Sequence, residues 1–192
     1  MTVPTGSTAL TVARSELVLG GQRSGKSRRA ELLAAAWLAG DDSRRAVFIV
    51  TAQAGDGEMQ SRISRHRADR AERLPRAETV EAPVALAEAV ALHASPAALL
   101  VVDCLTLWLV NRYPVDEGLM EQAAESLAIA VENAAGPVVL VSNEIGLGVV
   151  PMGREVRAYV DALGRLNQRI ASACARVTLV AAGLPLTLKD SA

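Results

Sequence analysis

Five short aliphatic runs punctuate the chain, at residues 16–19, 46–51, 98–103, 137–142 and 176–181. Each is almost unbroken Val, Ile, Leu or Ala, the pattern of strands covered on both faces in a mostly parallel sheet. Helical patterns lie between them. Residues 28–38 (RRAELLAAAWL) and 84–92 are rich in Ala and Leu. From 155 to 175, Val156, Val160, Leu163, Leu166 and Ile170 recur at helical spacing, as on a core-facing helix. Residues 58–70 (EMQSRISRHRADR) have helical composition but few apolar positions, and 54–57 and 112–118 read as loops. Strand alternating with helix predicts an α/β domain with helices on both faces and its ligand at the carboxyl ends of the strands. Residues 1–14, small and polar, are expected to be a disordered extension ahead of a single domain over 15–192.

Composition narrows the picture. Of 192 residues, 51% are apolar but only 3% aromatic, so the core must be aliphatic. Twenty basic residues face 21 acidic ones, which gives no overall pull toward nucleic acid or anionic lipid. No apolar run approaches the ~18 residues that a membrane span requires. Cys104 falls at a strand end and Cys174 in a helix. Two such cysteines make no disulfide framework, which points to a reducing compartment, the cytoplasm.

Chemistry concentrates where the first strand ends. Residues 17–27 read LVLGGQRSGKS, so Gly20, Gly25, Lys26 and Ser27 satisfy G-x-x-x-x-G-K-[ST]. Glycines let the backbone curl into a nest of inward N–H groups, and the following helix adds its positive end. Lys26 then meets the β- and γ-phosphates, and the Ser27 hydroxyl meets Mg²⁺. This is a nucleoside triphosphate site. Residues 99–103 (LLVVD) end an apolar strand on Asp103, where a second acid for Mg²⁺ belongs. Asn143 and Glu144 leave another strand into a Gly-containing loop, either facing the crevice or serving turn chemistry. Arg62, His66 and Arg70 stand four apart, which is one helical stripe. By spacing alone that stripe is either a solvated face or a polyphosphate contact. Arg154, Arg157, Arg165 and Arg169 read best as solvated, and His93 as complementing a helix C-terminus.

Taken in order, GGQRSGKS (20–27), RISRHRADR (62–70), VVDCLTLWLVN (101–111), VSNEIGLGVVP (141–151), GRLNQRIA (164–171) and AAGLPLTLK (181–189) cover nearly everything after residue 14. This set resembles the bifunctional adenosylcobinamide kinase / adenosylcobinamide-phosphate guanylyltransferase family. The resemblance implies a single-domain, RecA-like P-loop fold and two reactions. Adenosylcobinamide is phosphorylated by ATP or GTP. GTP then donates GMP to an enzyme histidine, which passes it to adenosylcobinamide phosphate. The family's R-I-x-x-H-[RK] pattern falls on Arg62 to Arg67, which makes His66 the nucleotide-accepting residue beside catalytic Lys26. Implied nucleotide contacts are Gly20, Gly21, Gln22, Arg23, Ser24, Gly25, Lys26 and Ser27, then Thr51, Ala52 and Gln53, then Arg67, Asp69, Arg70, Glu81 and Asp103. Ser27 and Asp103 are the implied Mg²⁺ ligands. A homo-oligomer is implied, with no nucleic-acid partner. The chain departs from the family at Ala71, where a proline is usual, and no tryptophan follows. Two other readings explain the loop and Asp103, namely a P-loop kinase for another small molecule and an NTP-dependent switch without covalent nucleotide chemistry.

Overall fold

The structure is a computed structural model and describes residues 10–53, 64, 68, 70–112 and 116–191. The elements run β1 (Ser15–Gly20), α1 (Lys26–Ala39), β2 (Arg45–Val50), β3 (Ala77–Glu81), α2 (Leu86–His93), β4 (Ala98–Asp103), α3 (Leu105–Val110), α4 (Glu117–Glu132), β5 (Val138–Val141), α5 (Arg154–Ala173), β6 (Arg176–Ala181) and β7 (Leu184–Asp190). The strands form one sheet in the order β3-β2-β4-β5-β1-β6-β7. All pairings are parallel except β6 with β7. Parallel pairs align the strand carboxyl ends, and β1 sits between the two strands latest in the chain among its parallel neighbours.

Alternation along buried strands feeds two cores. Leu17, Val47, Ile49, Leu100, Val102 and Leu140 pack under α2, α4 and α5. Val18, Phe48, Leu99, Val101 and Val139 face α1 through Ala30, Leu33, Ala34 and Leu38. The near-unbroken aliphatic runs therefore reflect a sheet with both faces covered.

Four features differ from the sequence expectation. β3 (AETVE) and β7 (LPLTLKD) are largely exposed, and lie at the two sheet edges. Edge strands carry polar positions and so lack the continuous apolar signal. Helix α4 starts inside the expected 112–118 loop, capped by the Asp116 side chain accepting from Leu119 N. Val156 is exposed, so α5 first meets the core at Tyr159 and has buried residues only from Ala162 onward. Residues 11–14, read as part of a free extension, are packed: Ala13 is buried, Val12 contacts the α1-side core, and Arg14 donates to Glu132 O.

One charge is fully buried in β1. Glu16 points to the α1 face, where its Oε1 accepts from Arg29 Nε at 2.8 Å and from the Thr178 hydroxyl at 2.8 Å. Arg176 stands 3.8 Å from Oε2. The carboxylate thus ties α1 to β1 and β6 just behind the phosphate loop. Removing one partner of a buried pair strands the other in low dielectric. Glu16→Ala is expected to lower the unfolding free energy by about 3–5 kcal/mol in urea titrations; a loss below about 1 kcal/mol would mean that the pair does not hold these elements together.

Candidate functional site

The loop 20–27 joins β1 to α1 at the carboxyl edge of the sheet, and two of its glycines are dictated by space. A Cβ on Gly20 would lie 2.4 Å from Val180 O and 2.5 Å from Ser24 Oγ. Gly25 has φ +107° as the N-cap of α1, and a Cβ there would meet Gly183 Cα at 3.3 Å. The backbone therefore bends tightly at both glycines. Lys26 is buried and donates to Gly21 O at 2.7 Å, arching across the loop. Burial pulls its ammonium below the ordinary pKa, while Cys104 and Asp103 nearby oppose that shift. The Ser27 side chain is half-buried in the first turn of α1.

Neighbouring strands brace this curve. Glu144 N, just past β5, donates to Gly20 O at 3.0 Å, and Gly183 N donates to Ser24 O at 2.9 Å. Gly183 belongs to the two-residue β6–β7 turn, where Ala182 and Gly183 have φ of +51° and +80°. Both positive values mark the type I′ geometry that matches strand twist.

Asp103 ends β4, separated from β1 only by β5. Arg70 Nη2 donates to its Oδ2 at 2.9 Å, and the Arg70 guanidinium stacks 4.2 Å from the Phe48 ring centroid. The structure thus gathers Lys26, Ser27, Asp103 and Arg70 at one end of the sheet. Thr51 is buried, and its hydroxyl accepts from Cys104 N and donates to Cys104 O. That hydroxyl is spent joining the ends of β2 and β4, with Asn111 closing the same corner through Thr51 O and Pro83 O. Ala52 and Gln53 follow at the crevice, half-buried and exposed. Glu81 ends β3, four strands from β1. At ~4.8 Å per strand that is roughly 19 Å, so it lines the far rim. His66, Arg67 and Asp69 lie outside the described residues, as does Arg62.

Other side chains prove to be scaffolding. Arg165 pairs with Glu117, and Arg169 pairs with Glu125 through both ends of its fork. Cys104 is pushed up to about 11, first by burial and then by Asp103, so its thiol is neutral and unreactive at physiological pH. Sequence reasoning missed the Ala182–Gly183 brace. The signal was present as Ala-Gly before the alternating Leu184, Leu186 and Leu188. It also missed Thr106, whose hydroxyl accepts from Asn143 N, and Tyr159, whose hydroxyl donates to Thr106 O.

Comparison with known proteins adds an independent line. The model of a family described as cobinamide kinase / cobinamide phosphate guanyltransferase matches residues 16–188. A Pseudomonas aeruginosa protein named bifunctional adenosylcobalamin biosynthesis protein CobP is 49% identical over 176 residues, 91% of this chain and 96% of that protein. The Escherichia coli bifunctional adenosylcobalamin biosynthesis protein CobU is 37% identical over 187 residues, 90% and 98% of the two chains. A solved structure from Pyrococcus horikoshii OT3 superposes with a TM-score of 0.55 over 95% of this chain and 89% of that one, at 11% identity. That last likeness concerns the fold alone.

The geometry at Gly25 generates a direct test. Gly25→Ala would force an L side chain into a left-handed conformation against Gly183. It should cut affinity for ATP or GTP at least about tenfold by calorimetric titration, while lowering unfolding free energy by only about 1–3 kcal/mol. Undiminished nucleotide affinity would show that the loop tolerates a Cβ at the helix start.

Proposed function

We propose that this chain, which belongs to the cobinamide kinase / cobinamide phosphate guanyltransferase family, performs both of the reactions in that description at one nucleotide site. The observation carrying the proposal is the braced loop 20–27 with Lys26 arched over it and Asp103 and Arg70 gathered nearby.

In the kinase step the adenosylcobinamide hydroxyl oxygen attacks the γ-phosphorus of ATP or GTP. The bond to the bridging oxygen breaks, and the nucleoside diphosphate departs. Little covalent help is needed; positioning and charge neutralisation suffice, and the loop amides and Lys26 supply both. In the transferase step an unprotonated His66 nitrogen attacks the α-phosphorus of GTP, and pyrophosphate leaves. A phosphate oxygen of adenosylcobinamide phosphate then attacks the same phosphorus, the P–N bond breaks, and the histidine is restored. Imidazole suits this role because at an ordinary pKa of ~6.5 much of it is neutral at physiological pH. His66 lies four residues before Arg70 in the sequence, and Arg70 reaches Asp103. That spacing supports bringing the ring to the same nucleotide. Ala52, Gln53 and Glu81, along the crevice rim, fit contacts beyond the triphosphate.

The donor set also fits Mg²⁺. The Ser27 hydroxyl and the Asp103 carboxylate are hard oxygens, and no group of three or more His, Cys, Asp or Glu forms a cage among the described residues. Mg²⁺ commonly takes one or two protein ligands and fills the rest from phosphate and water. When bound it would neutralise charge on the transferred phosphoryl group. Arg70 on Asp103 Oδ2 holds that carboxylate in place. We further place the protein in the cytoplasm as a homo-oligomer. Support comes from the free Cys104 and Cys174 and from the exposed Leu184, Leu186 and Leu188 along edge strand β7.

With GTP and Mg²⁺, the intact mass should rise by one GMP, and acid should remove it. His66→Ala should show no adduct yet keep kinase activity, whereas Lys26→Ala should lose most of both half-reactions when each is assayed separately. An adduct persisting on the histidine variant would remove His66 from the role.

A further inference from the structure

The segment between β5 and α5 is pinned at both ends, yet apolar and exposed between them. At its start, Asn167, buried in α5, donates from Nδ2 to Asn143 O at 3.1 Å. Asn143 N in turn donates to the Thr106 hydroxyl at 2.9 Å. At its end, Arg157 Nη1 donates to Pro151 O at 3.0 Å and also to Met152 O. Between these anchors the sequence is IGLGVVPMG, without a single charge from 145 to 153. Leu147 is 80% exposed, Val149 96% and Met152 96%, with Ile145 and Val150 also turned outward. Soluble surfaces rarely gather so much aliphatic area in one place unless something covers it. A segment tethered by three side chains of α5 and α3 is a built surface.

Its position says what that surface is for. Glu144 N, at the root of the segment, is bonded to Gly20 O of the phosphate loop. The segment therefore leaves the sheet directly against the phosphate loop. We propose that the 145–152 segment is the docking surface for one face of the corrin macrocycle of the acceptor. It sets the ring so that its hydroxyl-bearing arm points at the phosphates over residues 20–27. This rests on the functional reading above. A broad conjugated ring with an apolar face and uncharged amide edges matches a charge-free aliphatic surface. Polyanions and charged peptides do not match it. A second copy of the chain finds a more suitable strip elsewhere, along β7, where Leu184, Leu186 and Leu188 line an extended edge. The Asn167 in GRLNQRIA thereby acquires a role: it positions the start of the docking segment.

The test uses the full chain carrying Leu147→Ser and Val149→Ser together. Both side chains are solvent-facing, so the fold should persist. Equilibrium dialysis should show cobinamide affinity falling at least about tenfold, with KM for cobinamide rising in parallel. ATP and GTP affinity and the molecular mass by light scattering should stay unchanged. Leu147→Met should restore most of the binding lost with Leu147→Ser. Unchanged cobinamide affinity in the double variant overturns the docking surface alone. So does a loss accompanied by a drop in molecular mass, which would assign the segment to a contact between copies. Failure of the native protein to bind cobinamide at all overturns the functional reading, and this inference with it.

Discussion

A phosphate-binding loop works only while its amides stay turned inward, and here that curvature is enforced from outside the loop. Two of its carbonyls are occupied by backbone donors from just beyond the strands flanking β1, Gly20 O by Glu144 and Ser24 O by Gly183. A third, Gly21 O, takes the Lys26 ammonium. Ser24 N also donates to Gly21 O at 3.3 Å, so the bend is closed within the loop as well as braced from outside it. The absent Cβ at Gly20 matters because Val180 O and Ser24 must come within contact distance of it for this bracing to close. Curvature, burial of Lys26 and the lowering of its pKa are one linked arrangement.

The same device recurs across the carboxyl edge of the sheet. The ends of β2 and β4 are stitched together there by a hydroxyl that both donates and accepts. Thr51 spans β2 and β4 through Cys104, Asn111 ties that corner to Pro83, and Arg70 joins its stretch to Asp103 over the Phe48 ring. Behind the loop, Glu16 performs the equivalent task for α1. Buried polar groups hold position when they are partnered, and in these places the partners come from different elements of the fold. Rigidity at the crevice is therefore a property of the sheet edge, and the projecting 145–152 segment can stand clear because its roots are part of that edge.

Legibility in the sequence followed the strength of each physical signal. The five strands covered on both faces were readable because burial on two sides demands unbroken aliphatic runs. The family of the chain was readable from motif order, and the comparisons bear that out. β3 and β7 escaped because an edge strand has a wet side and mixes Glu, Thr and Lys into its pattern. Loop glycines, Lys26 and Asp103 could be located by spacing, since a nest and a strand end are local features. Thr51 could be located but not its task, because whether a hydroxyl faces ligand or backbone depends on Cys104, fifty-three positions away. The same distance problem hid the Thr106, Tyr159 and Asn167 contacts, which exist only once helices have docked.

The phosphate cradle is assembled from backbone at positions 20–27, 144 and 183, so its parts span most of the polypeptide. During synthesis the glycine-rich motif emerges early, yet the groups that curve it are made last. Until the β6–β7 turn forms, Ser24 O lacks the Gly183 bond that braces it in the folded chain. Contacts of such long sequence separation are among the slowest to form. The shape of the loop consequently depends on β5 and on the β6–β7 turn having taken their places beside β1.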